Sequence, residues 1–220
     1  MLKSATLHTP LSSIIKMGID IHAFIEAKQN QESPIYYCLA SFHLSRDYQL
    51  FDILGNGRNY HSPRSEWETK AFLESRGAPK DMSVLVAREL YDIVISSSNP
   101  QQNEYPNHSF WEKDKCILYS VAEQRIKETK AFWGEVRQTF NIEFKCCPND
   151  SEWATWKTIS KPYLHSVSYL QYDEIIQALK ANTIHIKQLP NDYVALLDYF
   201  KTLIDSKEYY DIRLVFWFDY

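Results

Sequence analysis

The sequence predicts an α+β fold: a mainly antiparallel sheet whose first and last strands are neighbours, with helices packed on it. Three observations predict it. A strict alternation of apolar residues runs from Gly18 to Glu26, a second closes the chain from Ile212 to Tyr220, and helical spacings with N-terminal capping signals fill the sequence between them.

In the first strand the odd positions are Ile19, Ile21, Ala23 and Ile25 and the even ones Asp20, His22, Phe24 and Glu26; a period of two gives a strand one core face. Residues 35–43 are β-prone and follow a polar stretch, which predicts a first hairpin. Arg46 to Leu54 runs into Gly55-Asn56-Gly57 and is read as a short helix or turn ending on residues that tolerate positive φ. Ser65 with Glu68 is a capping box, which predicts a helix to about Arg76 stopped by Gly77 and Pro79. Ser83 is expected to cap a helix through about Ile95, and Ser96 to Asn107 reads as a polar loop. Ser120 with Glu123 is a second capping box. Ala122, Ile126, Thr129, Trp133, Val136 and Phe140 then form the stripe of the longest predicted helix. Shorter helices are expected over Asp173 to Lys180 and from Asp192 to about Ile204. The last strand alternates Ile212, Leu214, Phe216, Phe218 and Tyr220 with Arg213, Val215, Trp217 and Asp219.

At 220 residues the chain is read as a single α+β domain over 17–220 with an insertion around 84–162. Residues 1–16 are a loose tail or upstream extension, and either Met1 or Met17 serves as the start. Apolar residues make up 45% and aromatics 15%, enough bulk for a core and too much for disorder over most of the length. A net charge of −4 argues against a sequence-independent duplex binder, which needs a basic track to displace counterions, so nucleic acid is not an expected partner. Cys38, Cys116, Cys146 and Cys147 form no C-x-x-C and read as reduced thiols of a cytoplasmic protein. No segment approaches the roughly 18 apolar residues of a membrane span.

Five pieces carry a resemblance. They are Gly18-Ile19-Asp20-Ile21-His22; Arg46-Asp47-Tyr48-Gln49-Leu50-Phe51 with Arg58 after it; Arg76-Gly77-Ala78-Pro79-Lys80-Asp81-Met82-Ser83; His165-Ser166-Val167-Ser168-Tyr169-Leu170; and Arg213 to Asp219. Together the chain resembles a family of uncharacterised bacterial and phage proteins that opens on a Cys-Asp-Ile-His strand and contains Arg-Gly-x-Pro-x-Asp-x-Ser and His-Ser-x-Ser-aromatic-Leu. Ile19 stands where that family usually has cysteine. The resemblance implies a fold-scale grouping and a set of residues rather than an activity.

Those residues admit a chemical and a structural reading. Asp20 and His22, two apart on a strand, share a face and can meet one ligand or divalent ion, or the aspartate simply orients the histidine. Arg46, Arg58, Arg76 and Arg213 suit phosphate or carboxylate if they converge; otherwise each pairs with an acid, Arg76 with Asp81 and Arg213 with Asp20 or Asp219. Asp81 and Ser83 sit where an anion or a positioned base is often held, yet a stop and cap explain them as well. On a strand Ser166 and Ser168 share a face and His165 points the other way, so a nucleophile-base pair is not implied; imidazole acid-base work by His22 or His165 is the easier chemistry.

The expected site therefore has His22 and His165 as acid-base groups and Asp20, Arg46, Arg58, Arg76, Asp81, Ser83, Ser168, Arg213 and Asp219 as ligand-binding groups. Asp20, His22, Arg213 and Asp219 would lie together, rimmed by the Arg76–Ser83 turn and His165. A small phosphate-bearing compound is the leading ligand, with hydrolytic or transfer chemistry open and the cofactor unknown. The alternative is a non-catalytic interaction protein of phage or mobile-element origin that binds a host protein.

Overall fold

The computed structural model describes residues 20–55, 73–95, 116–133, 140–146, 154–161 and 164–219. The tail, Met17, Arg58, the Ser65–Glu68 capping box and the 96–107 loop lie outside them, as do the side chains of Asp20, Trp133, Trp156 and His165. The elements are β1 (Asp20–Lys28), β2 (Tyr37–Leu44), α1 (Tyr48–Gly55), α2 (Val84–Leu90), β3 (Tyr91–Ile95), β4 (Cys116–Leu118), α3 (Tyr119–Trp133), β5 (Phe140–Cys146), β6 (Ala154–Ser160), β7 (Leu164–Leu170), α4 (Tyr172–Ala181), α5 (Asn191–Ser206) and β8 (Asp211–Asp219), with a 3₁₀ turn at Ile186–Gln188.

The first and last strands pair antiparallel over their whole length, Asp20 opposite Asp219 and Lys28 opposite Asp211. They form the centre of a sheet ordered β2-β1-β8-β7, and a second sheet is ordered β4-β3-β6-β5. All pairs are antiparallel except β3 with β4. The protein is thus α+β with helices on the first sheet.

One face of that sheet, Ile21, Ala23, Ile25, Leu214, Phe216 and Phe218, packs on Leu50, Phe51 and Leu54 of α1, Ile175 and Leu179 of α4, and Leu196, Leu197 and Phe200 of α5. Gly55 permits the closest of these contacts: a Cβ there would sit 2.7 Å from the ring of Phe218. The opposite face is also covered. Phe24, Val215 and Trp217 bury against Met82, Val86, Ala87 and Leu90 of the α2 region and Tyr91, Ile93 and Ile95 of β3. β8 is therefore buried on both sides, which accounts for its nearly continuous apolar content, with Arg213 as the exception. Cys38 and Cys116 pack against this second core, and burial pushes the Cys38 thiol up to about 11.

Four local expectations are corrected. Residues 73–79 are irregular rather than the end of a helix, because their polar groups bond to other elements: Leu73 N–H to the Ile53 carbonyl (2.8 Å), Ser75 Oγ to the Val167 carbonyl (2.7 Å) and Arg76 N–H to Ser168 Oγ (3.2 Å). The helix capped by Ser83 stops at Leu90, and Tyr91-Asp92-Ile93-Val94-Ile95 continues as a strand between β4 and β6; aromatic and β-branched side chains favour that state. Helix α3 starts at Tyr119, so Ser120 lies within its first turn. In β7 the pairing with β8 slips between His165 and Ser168, and Ser166 has φ 52°. This bulge adds one residue and breaks the alternation expected of His165, Ser166 and Ser168.

Candidate functional site

The polar residues of the central strands gather at two places along β1 and β8. The inner one is built on Glu26, which sits opposite Arg213 in register. Both side chains are buried, at 0% and 4% exposure. Arg213 donates from Nε (3.0 Å) and Nη2 (2.9 Å) to Glu26 Oε2 and from Nη1 (2.8 Å) to Asp81 Oδ1. The other Glu26 oxygen accepts the Ser83 backbone N–H at 2.6 Å. Lys28 Nζ donates to Asp81 Oδ2 at 2.8 Å. The Tyr36 ring lies 3.5 Å from the Arg213 guanidinium carbon, and its hydroxyl donates to Asp211. A buried charge needs this degree of pairing, because the interior disfavours an isolated ion by several kcal/mol or more.

The Arg76–Ser83 segment now has a physical account. Gly77 takes φ 76°, in the left-handed region that glycine adopts without a Cβ penalty. Asp81 receives Lys28 and Arg213, and its carbonyl accepts the Tyr36 N–H at 2.9 Å. Ser83 Oγ accepts the Val86 N–H at 3.3 Å and so caps α2. The segment staples the α2 region onto the sheet through Glu26 and Arg213.

The outer place is formed by His22 and Asp219, whose Nε2 and Oδ2 are 2.6 Å apart with side chains 24% and 29% exposed. The two are diagonal neighbours across the β1–β8 pair. The His22 ring stacks at 5.7 Å on Trp217 and meets His43 edge-on at 4.9 Å. A carboxylate that orients an imidazole is the elementary arrangement for acid-base work. Contrary to the expectation that Arg213 lies with His22 and Asp219, it does not join this pair; four residues of strand, about 13 Å, separate the two registers.

The remaining predicted residues go elsewhere. Arg76 forms a forked pair with Glu174 of α4, Nη1 to Oε2 at 3.0 Å and Nη2 to Oε1, and not with Asp81. Ser168 is buried and accepts the Arg76 N–H. Arg46 is exposed, while Asp47 beside it caps α1 by accepting the N–H groups of Gln49 and Leu50 at 3.0 Å each. The backbone of His165 pairs with Phe218, and Arg58 lies outside the described residues. Among the described residues no group of three or more His, Cys, Asp or Glu side chains is arranged to hold a metal ion, and no helix is long and apolar enough to cross a membrane.

Sequence reasoning missed Glu26, the central residue of the inner cluster. Its signal was a glutamate in an apolar strand, with a lone arginine at the matching position of the partner strand.

The carboxylates of these pairs predict the acid limb of stability. Burial alone would raise Asp81, but hydrogen bonds from Lys28 and Arg213 overcome it and hold its pKa below the usual value. The Arg76 hydrogen bond lowers Glu174 despite burial. Depressed folded-state values stabilise the protein fully above the unfolded values, about 3.9 for Asp and 4.3 for Glu, and that contribution is lost as pH falls through the lower folded-state values. The urea midpoint is expected to hold from pH 7 to about 5 and to fall below about 4. Asp81→Asn should flatten that fall, and an equally steep fall in this variant would exclude Asp81 as a contributor.

Comparison of the chain with protein-family models, with curated proteins and with solved structures gave no match in any of the three.

Proposed function

We propose that this protein acts by binding a macromolecular partner rather than a phosphate-bearing ligand, and that most of its polar motifs among the described residues serve the fold. The observation that carries this reading is the pairing of the arginines: Arg213 is committed to Glu26 and Asp81, and Arg76 to Glu174. A phosphate requires guanidinium donors turned to an open, electropositive cavity. Here the donors of Arg213 and Arg76 are taken up by Glu26, Asp81 and Glu174, and that of Lys28 by Asp81, so an incoming anion would have to displace a carboxylate. The resemblance to the Cys-Asp-Ile-His family and a cytoplasmic setting belong to this proposal, as does a host protein as the partner.

The His22–Asp219 pair supports a second reading, acid-base chemistry on a small substrate at the outer end of the sheet. One experiment separates the two. Melting curves with nucleoside mono-, di- and triphosphates at millimolar concentration are expected to coincide with the unliganded curve, since stabilisation follows ligand concentration over Kd. A rise in Tm that disappears in His22→Gln would overturn the binding-protein reading in favour of the second. A partner cross-linked in cells and retained equally by His22→Gln supports the first.

A further inference from the structure

A groove of about 350 Å³ lies between the start of α4, the end of α5 and the start of β8, lined among others by Tyr172, Asp173, Lys201, Ile204, Tyr210 and Asp211. The groove is open, and two of its lining side chains, Tyr210 at 59% and Ile204 at 38%, are exposed. Acidic side chains outnumber basic ones there: Asp173, Asp198 and Asp205 act electrostatically on the Tyr172 phenol against Lys201, and Asp211, which accepts from Tyr36 and Gln171, also lines the groove. Among the described residues, Lys201 is the one ammonium lining the groove, and it is already bonded to Asp205 at 2.7 and 2.9 Å.

Resting on the binding-protein reading above, we propose that this groove receives a Lys- or Arg-bearing segment of the partner protein. Carboxylates supply the charge that complements it, and tyrosine faces supply cation–π contact and stacking for a guanidinium. The exposed Ile204 in the groove gives a neighbouring apolar side chain of the segment a surface to cover, which a small free cation would leave bare.

The test uses the full chain and four capped peptides, Arg-Leu-Arg, Lys-Leu-Lys, Gln-Leu-Gln and Glu-Leu-Glu, titrated at low salt and followed by amide chemical shifts. The two cationic peptides are expected to shift residues of α4, α5 and the start of β8 and to bind about tenfold or more tighter than the glutamine peptide, losing affinity as salt screens the charges. Asp173→Asn and Tyr210→Ser change exposed side chains and should each weaken the arginine peptide several-fold with unchanged circular dichroism. Equal binding of the glutamine peptide, or shifts confined to other surfaces, overturns the proposal; so does spermidine binding as tightly as the peptides, which would identify a small cation as the occupant. A cross-linked partner retained by Tyr210→Ser removes this groove while the binding-protein reading stands. Nucleotide stabilisation lost in His22→Gln removes that reading whatever the peptides do.

Discussion

Arg213→Met is expected to destabilise the protein by about 3–5 kcal/mol, read from urea unfolding at pH 7. The substitution fills much of the volume but removes three donors, leaving Glu26 at 0% exposure with the Ser83 N–H as its remaining hydrogen-bond donor among those described. The penalty is the uncompensated carboxylate rather than the loss of a favourable pair. The double variant Glu26→Gln with Arg213→Met should therefore be more stable than Arg213→Met alone, since it removes the stranded charge. If the double variant is as unstable as the sum of the two singles, the two side chains are energetically uncoupled and the stranded carboxylate is not the source of the loss. Asp81, at 38% side-chain exposure, retains Lys28 and water and contributes less to the deficit.

Trp217→Ala is expected to cost about 3–5 kcal/mol by the same measurement, through a cavity in place of a strained charge. Trp217 is 2% exposed, packs in the second core, and stacks on Phe24 at 5.0 Å. Its ring also backs the His22 imidazole, so the variant should broaden the His22 resonances while Trp217→Phe restores most of the stability and their sharpness. Loss of less than about 1 kcal/mol would mean that α2 and β3 close over the gap.

How far the sequence foretold this structure depends on which face of the central strands is considered. The face of Ile21, Ile25, Leu214 and Phe218 was legible because apolar residues recur there without interruption, and the pairing of first and last strands followed. The other face was read as polar because Asp20, His22, Arg213 and Asp219 dominate it in the linear sequence. Its interior positions, Phe24, Val215 and Trp217, are apolar, and α2 with β3 covers them. A buried ion pair cannot be told from two solvated charges by periodicity alone; only the mirrored register of Glu26 and Arg213 distinguishes them. The β3 strand was hidden because Ser83 gave a correct helix start and no glycine or proline marked the change at Tyr91. The slip in β7 was hidden because it rests on a positive φ at Ser166, which serine rarely adopts.

The β1–β8 pair has a kinetic consequence for synthesis. Glu26 and Arg213 are 187 residues apart, and at about 5–20 residues per second a ribosome needs on the order of 10 to 40 s to pass from one to the other. Throughout that interval the nascent β1–β2 hairpin presents an unpaired edge and a carboxylate that the finished fold buries. Its final partner, β8, is made after the other three strands of that sheet. Closure of the first sheet therefore waits for β8, and the interval favours capture of the open edge by a chaperone or by a second nascent chain.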